Sequence, residues 1–459
     1  MGKEKKVSLW SSILFTICSV LVLDTFVAPT IIGTSSITIW IITTIIFFIP
    51  YGLLSAELGS TYPDDGGMYI WIKKAFGNFW AVLNGWFYWV NVAFWMPAVF
   101  VAFSSWFAYA FFPAMLETDP TMSNVIMATL AILMCWLVVY IGIRGVELSV
   151  AVTNIAGVLK VAVLLVFGFL GVAYMLRFGS ANSFSPEQFI PTFDNTTQYI
   201  AAILYNLLGF ELIGSIGSKI ENPEKTIPKM TMVAGVIIAG LYIFGTFGVL
   251  VALPAEMINE ADGFYLALEE LCRVFGPAQM PVFYVVIVVA MLTLVSNMVS
   301  WTLGANEIMV ASKIDQRVKI LSGRSKKYGT PAALYIVMGV VSTVLVAFNF
   351  MLSGDANEVF WVIFSFSLII FMIPYLFMFP AVAILRKIDP DTERVYKIPG
   401  GKFGLYLTVI LTEGCILMSL FFMFKEADGL ALSTFVIGTI ITTLVGVWIY
   451  FKGRDLDTE

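Results

Sequence analysis

Long apolar runs separated by short polar loops fill most of this chain of 459 residues. A helix that crosses a bilayer needs about 20 consecutive, mostly apolar residues. The pattern predicts twelve such helices, which are numbered here as spans 1 to 12. Their predicted bounds are 11–33, 37–58, 79–112, 124–143, 147–175, 197–218, 229–253, 280–311, 332–350, 357–385, 404–424 and 431–451. The chain is therefore predicted to be an all-α polytopic membrane protein.

Basic residues are distributed unequally between the loops on the two sides of these spans. All but four of the 26 Lys and Arg residues lie before span 1, after span 12 or in the loops on that same side. The four exceptions are Arg177, Arg273, Lys425 and the intramembrane Lys160. Because cytoplasmic loops carry the excess of basic residues, both termini are predicted to be cytoplasmic. The expected location is the plasma membrane or the bacterial inner membrane.

The composition agrees with a chain that lies mostly in lipid, and it excludes several classes of function. Hydrophobic residues make up 59% of the chain, charged residues 12%, and the mean hydropathy is +0.90. The four Cys show no disulfide or metal spacing, and the absence of His removes the usual near-neutral switch. No phosphate-binding loop, basic nucleic-acid module or nucleophile–base arrangement is visible. We expect no enzyme activity, metal or cofactor. The expected partners are the lipid bilayer and a small solute, and no nucleic acid.

Four ionisable residues lie inside the predicted spans. Lys160 is in span 5, Asp24 in span 1, Glu211 in span 6 and Glu413 in span 11. A Lys at the bilayer centre costs roughly 2.5–3.5 kcal/mol on translocon scales, so such residues usually have a partner and a function. Buried charges of both signs favour a transporter over an anchor or a scaffold. Glu413 has no predicted role.

Spans 1 and 6 each combine an acid with residues that weaken a helix. Residues 23–30 (LDTFVAPT) contain Asp24 and Pro29, and residues 205–214 (YNLLGFELIG) contain Gly209 and Glu211. Pro removes a backbone donor, and Gly costs about 1 kcal/mol relative to Ala in a helix. Interrupted segments five spans apart predict an inverted repeat with a solute site near the membrane midplane.

Several motifs resemble those of the amino acid–polyamine–organocation transporter superfamily. Residues 56–71 (AELGSTYPDDGGMYIW) resemble its signature between spans 2 and 3. Residues 209–211 with 221–223, 300–304 (SWTLG) and 394–401 (RVYKIPGG) are similar to its patterns at spans 6 and 8 and before span 11. Residues 48–53 (FIPYGL) and 398–402 (IPGGK) look closest to the glutamate:GABA antiporter branch.

The resemblance implies a fold of five plus five inverted repeats with broken first and sixth helices and two appended helices. A single transporter domain is expected over residues 1–451, with repeats at about 11–175 and 197–385, appended helices at about 404–451 and a short cytoplasmic tail at 452–459. It also implies alternating access around a site formed by spans 1, 3, 6, 8 and 10. Where the superfamily has a Gly-small-Gly run that binds a substrate carboxylate, this chain has Val22-Leu23-Asp24.

The resemblance and the residue types together predict a set of site residues. Lys160 matches the span 5 Lys of sodium-independent members, where the ammonium replaces a sodium ion and ties span 5 to span 1, and carriage of the coupling proton is the extension of this role. Glu211 either binds protons or braces the broken helix. Asp24 is either a ligand for a substrate amine or proton, or a cap or partner of Lys160. The predicted substrate-binding residues are Asp24, Thr25, Phe26, Tyr88, Asn91, Tyr205, Gly209, Phe210, Ser296, Asn297 and Trp301.

The predicted function is sodium-independent secondary transport of amino acids or related amines, by exchange or by proton symport. The alternative within this class is an amine- or polyamine-selective carrier that uses Asp24. A channel and an intramembrane enzyme are the rival classes. A carrier alone among the three shows stimulation of uptake by solute on the opposite side.

Overall fold

The computed structural model describes residues 6–258, 263–351, 355–453 and 456, without the side chains of residues 193–198 and 351–361. Over these residues the chain is helical and forms no sheet, apart from one isolated bridge between Val7 and Ile220. The prediction of an all-α polytopic protein is confirmed. The predicted tail at 452–459 lies mostly outside the described residues.

Twelve spans are present, two of them in pieces. In the described part of the chain, eleven helices are long and apolar enough to cross a membrane, and the shorter helix Leu9–Val20 begins span 1. The unbroken spans 3 to 5 and 7 to 12 are Asn78–Phe111, Pro120–Arg144, Val146–Phe178, Pro223–Ala252, Gln279–Ala311, Ala332–Met351, Asp355–Ile388, Gly401–Glu426 and Gly429–Lys452. Span 2 is Ser35–Thr61, with a π-helical turn at Thr44–Phe48.

Span 1 is interrupted near its middle. Its first helix, Leu9–Val20, begins with Ser8 as the cap, and its second piece is a 3-10 helix at Ala28–Ile32. Leu21 has an extended backbone, and residues 23–27 form turns between the two pieces. Pro29 lies in the first turn of the second piece, where its missing N–H costs nothing. The interruption predicted from Asp24 and Pro29 is therefore present.

Span 6 is interrupted at the corresponding place. Its first helix, Phe193–Asn206, ends one residue before Leu207, and a 3-10 helix resumes at Phe210–Lys219. Gly209 joins them with φ +126°, a conformation that L side chains rarely adopt. A Cβ at this position would also lie 3.1 Å from both Trp301 and Val20. A glycine is thus required both for the break and for its close packing.

Helix packing follows the predicted repeat. Span 2 packs on span 7, span 3 on span 8 and span 4 on span 9, so each of these helices contacts its counterpart five spans later. The first helix of span 1 likewise contacts the second helix of span 6. The pair of spans 5 and 8 is mirrored by the pair of spans 10 and 3. This is the pairing expected of two five-span repeats. Their exact boundaries stay a prediction.

Spans 11 and 12 lie at the periphery. Span 11 packs against spans 2 and 10 and the first helix of span 6, and span 12 packs against spans 3 and 10. Only 28% and 17% of their most apolar windows are buried in the protein, compared with 78% for span 3. Their remaining apolar surface faces outward, as expected of helices added to the outside of a bundle in lipid.

The end of the bundle that carries the N-terminus is closed by polar contacts. Arg386 at the end of span 10 donates two hydrogen bonds to Glu57 of span 2, at 2.6 and 2.5 Å. The backbone N–H of Ile398 donates to the same carboxylate at 2.8 Å. The loop after span 2 also docks on span 6, since Gly67, at φ +38°, leaves no room for a Cβ beside Gly214. The bidentate pair of Arg386 and Glu57 is of a type that is both strong and geometrically specific.

Candidate functional site

Lys160 ties span 5 to the break in span 1. It is fully buried, and its Nζ donates to the carbonyl oxygen of Cys18 at 2.6 Å, to that of Leu21, and to Asn297 Oδ1 at 2.7 Å. Three oxygen acceptors therefore surround the ammonium, two from span 1 and one from span 8. No carboxylate of the described residues lies within ion-pair distance of it. The lysine thus donates hydrogen bonds to carbonyl groups at the end of the first helix of span 1.

Side chains satisfy every carbonyl of the last turn before the break. Lys160 serves the carbonyls of residues 18 and 21, Trp301 Nε1 donates to Ser19 at 2.9 Å, and the Tyr242 hydroxyl donates to Val20 at 2.8 Å. The last four carbonyls of a helix have no partner within it. Spans 5, 7 and 8 supply those partners here, and so they hold the end of the first helix in place.

Asp24 lies just after this turn and has unused hydrogen-bonding capacity. Its Oδ1 is buried and accepts no hydrogen bond from the described residues. The carboxyl lies close enough to Lys160, Tyr205 and Tyr242 to interact with them electrostatically. The next residue, Thr25, donates to Asn206 Oδ1 at 2.5 Å and so joins the break in span 1 to the break in span 6. Asp24 and Lys160 thus interact electrostatically without an ion-pair contact among the described residues, and the alternative roles predicted for Asp24 stay predictions.

Four aromatic rings, which we call the aromatic box, lie at this junction. Trp301 has ring centroids 5.3 Å from both Trp95 and Phe371. Tyr205 lies 5.4 Å from Trp95 and 5.7 Å from Phe371. Tyr88 adds a fifth ring, stacked 6.0 Å from Trp301. The structure thus brings together aromatic rings of spans 3, 6, 8 and 10. The sequence predicted site rings in spans 3, 6 and 8 and none in span 10.

Several buried polar atoms around the aromatic box have no partner among the described residues. They are Tyr205 Oη, Trp95 Nε1, Asn297 Nδ2 and both side-chain atoms of Asn91. Tyr88 and Trp95 both contact Trp301 from one face of span 3. Asn91 lies between them on the same face. Buried polar groups in proteins are nearly always hydrogen-bonded, so each exception needs an explanation. A polar solute bound at this junction would provide one.

Glu211 has the opposite surroundings. Its carboxylate accepts hydrogen bonds from Tyr51, from Tyr88 at 2.7 Å and from Tyr375 at 2.8 Å. All four residues are at most 2% exposed. The Tyr51 oxygen also accepts the backbone N–H of Gly209, at 3.0 Å, at the start of the second helix of span 6. The three tyrosines, from spans 2, 3 and 10, form what we call the tyrosine cage.

Three predicted residues make no ring contact or hydrogen bond with the aromatic box among the contacts described. Phe26 packs edge-on against Phe167 and Phe264, at 5.8 and 6.0 Å, in a separate aromatic cluster. Phe210 stacks on Phe48 at 4.6 Å and lies beside the tyrosine cage. Ser296 donates to a carbonyl of its own helix at 3.2 Å. The ring contacts therefore place Phe26 and Phe210 outside the box, the role of Ser296 stays a prediction, and Gly209 lies against Trp301.

Sequence reasoning missed the residues that complete both regions. Tyr51, Tyr242 and Tyr375 supply hydroxyls, Phe371 supplies a ring, and Asn206 joins the two breaks. The available signal for the tyrosines was a hydroxyl in mid-span, because a buried Tyr O–H usually finds a partner. Phe371 gave no signal in a chain with 39 Phe residues.

Two further features concern cation sites and access. The described residues contain no group of three or more Cys, Asp or Glu placed to hold a metal ion. Glu413 has a buried Oε1 without a partner in the described part of the chain, but it lies on span 11, away from the box.

A cavity of about 410 Å³ opens beside the end of span 1, lined by Gly33, Asn182 and Glu256 among others.

The model of the amino acid permease family matches residues 7–447. A probable agmatine/putrescine antiporter of Lactococcus lactis is 34% identical over 97% of this chain and 94% of its own length. A probable polyamine transporter of Arabidopsis thaliana is 22% identical over 80% of this chain and 68% of its own. The glutamate/gamma-aminobutyrate antiporter of Lactococcus lactis is 20% identical over 92% of this chain and 83% of its own.

Proposed function

Because the chain belongs to the amino acid permease family, a family of membrane transporters, we propose that it exchanges small cationic amines across the cell membrane. The observation that carries this proposal is the buried, unpartnered Oδ1 of Asp24 beside the aromatic box. A carboxylate in such a place attracts an ammonium or guanidinium group. It repels a second carboxylate.

The aromatic box suits the same ligand. A cation over the face of a Trp or Tyr ring gains about 0.5–2 kcal/mol from the ring quadrupole. Trp95, Tyr205 and Trp301 bring such rings together, and the Tyr205 hydroxyl, which has no partner among the described residues, lies within electrostatic range of Asp24. An amine held there would neutralise the Asp24 charge and use buried polar atoms that otherwise lack partners.

Lys160 leaves Asp24 free for this role. Its ammonium already has three oxygen acceptors, and no ion pair joins it to Asp24 among the described residues. Lys160 supplies a covalently attached cation to the carbonyl oxygens at the break in span 1, so a sodium ion is not needed to hold that break together. Sodium-independent transport follows as part of the proposal.

The relatives support amines in particular. Agmatine and putrescine, named for the Lactococcus relative, are cations without a carboxylate. The two breaks, joined by Thr25 and Asn206, would act as hinges for alternating access. The Glu57–Arg386 contacts would open when the site faces the end that carries both termini, which we place in the cytoplasm from the distribution of basic residues.

Counterflow into proteoliposomes tests this proposal. Vesicles loaded with unlabelled putrescine should accumulate labelled putrescine or agmatine, unchanged in structure, and at the same rate in sodium and in choline buffers. Vesicles loaded with glutamate should not accumulate either labelled amine. Counterflow of glutamate or GABA without any response to amines would overturn the proposal in favour of an amino acid carrier. Flux without stimulation from the opposite side would indicate a channel.

A further inference from the structure

At both helix breaks, backbone N–H groups donate hydrogen bonds to the hydroxyl oxygens of buried tyrosines. The N–H of Val22, in the unwound part of span 1, donates to Tyr242 Oη at 2.9 Å. The N–H groups of Gly209 and Phe210, where span 6 resumes, donate to Tyr51 Oη at 3.0 and 2.8 Å. Free N–H groups at the start of a helix form a ready-made anion site. At span 6 a neutral hydroxyl oxygen fills that place. At span 1 the hydroxyl of Tyr242 instead occupies a single amide of the unwound segment, which would otherwise be free to bind an anion.

Each hydroxyl is itself fixed by acceptors. The Tyr242 hydroxyl lies 2.8 Å from the Val20 carbonyl oxygen and 3.0 Å from that of Asn206, and its single proton can serve either one. The Tyr242 ring stacks on Trp40 at 4.6 Å with an interplanar angle of 11°. Both residues are at most 1% exposed. The hydroxyl therefore cannot turn aside to release the Val22 amide without losing its own partners.

An acidic side chain accompanies each capped amide. Asp24 follows Val22 by two residues and acts electrostatically on Tyr242. Glu211 accepts the Tyr51 proton directly. A carboxylate entering either break would therefore find its donors taken and a fixed acid beside it. Burying a carboxylate without donors or a counter-charge is strongly unfavourable.

We propose that Tyr242 is a specificity-determining residue that excludes solutes with an α-carboxylate and thereby selects amines over the amino acids from which they derive. The inference rests on the proposed function, because it concerns the same site. Tyr51 performs the equivalent task at span 6, where Glu211 adds a second barrier to anions. Tyr242 is the residue to test, since removing its hydroxyl frees the Val22 donor and leaves the tyrosine cage intact.

Two ligand pairs that differ only by a carboxylate provide the test. Agmatine and arginine share the guanidinium and the carbon chain, as putrescine and ornithine share theirs. Calorimetry on the purified full-length protein should show agmatine binding at least tenfold more tightly than arginine. In Tyr242→Phe, which keeps the ring on Trp40, the affinity for arginine should rise at least fivefold while that for agmatine changes less than threefold.

Tyr375→Phe is the matched control. It removes another buried core hydroxyl that donates to Glu211 but caps no backbone amide. Its ratio of agmatine to arginine affinity should equal that of the unmodified protein. An equal gain for arginine in Tyr375→Phe, or an unchanged ratio in Tyr242→Phe, would overturn the role of Tyr242.

A measurement on the unmodified protein needs no variant. Arginine methyl ester has the bulk of arginine without its negative charge, so it should bind within threefold of agmatine. Binding of the ester as weak as that of arginine would show that size, not charge, is selected. Equal binding of arginine and agmatine would overturn this inference and leave amine exchange standing. Binding of neither agmatine nor putrescine would overturn the proposed function itself.

Discussion

The breaks in spans 1 and 6 are built alike but treat their acids differently. Asp24 has a buried carboxylate oxygen without a partner in the described part of the chain, whereas Glu211 accepts three hydrogen bonds from the tyrosine cage. Carboxylates that accept several hydrogen bonds inside a protein are stable without a ligand, and unpartnered ones are not. On this comparison we propose that Asp24 binds the solute at span 1 and that Glu211 braces the broken helix at span 6.

The two breaks also differ in what holds their backbone. A cation, Lys160, holds the end of the first helix of span 1 through two carbonyl oxygens. A neutral hydroxyl, Tyr51, holds the start of the second helix of span 6 through N–H groups. Each group complements the partial charge at its helix end, which is negative at a C-terminus and positive at an N-terminus.

The largest effect is expected from Lys160→Ala. The change leaves the carbonyls of Cys18 and Leu21 and the oxygen of Asn297 buried without a donor, at about 1–3 kcal/mol each. Counterflow should fall by about 100-fold or more, because even the loss of about 3 kcal/mol at the hinge corresponds to that factor. Initial uptake rates in proteoliposomes measure it.

Lys402→Ala is the control, because this lysine is exposed at the start of span 11. It should leave transport unchanged. Normal transport by a folded Lys160→Ala protein would contradict the bracing role, and so would strict sodium dependence of the unmodified protein.

Exchanging each acid for its amide separates the two breaks. Asp24→Asn should lower the affinity for putrescine by about 10- to 100-fold, since it removes the charge that faces the cation, a loss of about 1.4–2.7 kcal/mol. Glu211→Gln should change that affinity less than threefold but lower the Tm, because the amide places N–H donors against hydroxyls that already donate. Calorimetry gives the affinities, and thermal unfolding in detergent gives the Tm.

Glu117 is exposed, and Glu117→Gln is therefore the control for both substitutions of a buried acid. The assignment of roles fails if Asp24→Asn keeps full affinity for amines, or if Glu211→Gln loses affinity while its Tm is unchanged.

The smallest effects are expected in the aromatic box, which contacts both breaks. Tyr205→Ala and Trp301→Ala should weaken amine binding by about 2- to 30-fold, the range that a cation–π contribution of about 0.5–2 kcal/mol corresponds to. Tyr205→Phe should retain most of the affinity. Trp301→Phe should transport more slowly, because it loses the hydrogen bond to Ser19 as well.

Phe26→Leu is the comparison for the aromatic box, since its ring lies in the separate cluster with Phe167 and Phe264. If it weakened amine binding as much as Tyr205→Ala did, the box would be wrongly placed. Full affinity in both Ala variants would reduce Tyr205 and Trp301 to packing residues.

Much of the fold was predictable because hydropathy along a membrane chain reflects a single strong constraint. Apolar length predicted all twelve spans, and Pro29 and Gly209 predicted both breaks, because these residues act on the backbone locally. Lys160 was predictable because a charge inside an apolar span stands out against its neighbours. The aromatic rings were only partly predictable. Tyr88, Tyr205 and Trp301 were expected, but Phe26 packs elsewhere.

The sequence by itself determined where the helices cross, where two of them break and which charges lie inside the membrane. Only the tertiary structure decided that Asp24 Oδ1 has no hydrogen-bond partner among the described residues while the Glu211 carboxylate has three. Tyr51, Tyr242 and Tyr375 lie on spans far apart in the chain. The local sequence around each tyrosine does not indicate which helix its hydroxyl will contact. Hydrogen bonds depend on distances of about 3 Å and on direction, and packing alone sets these.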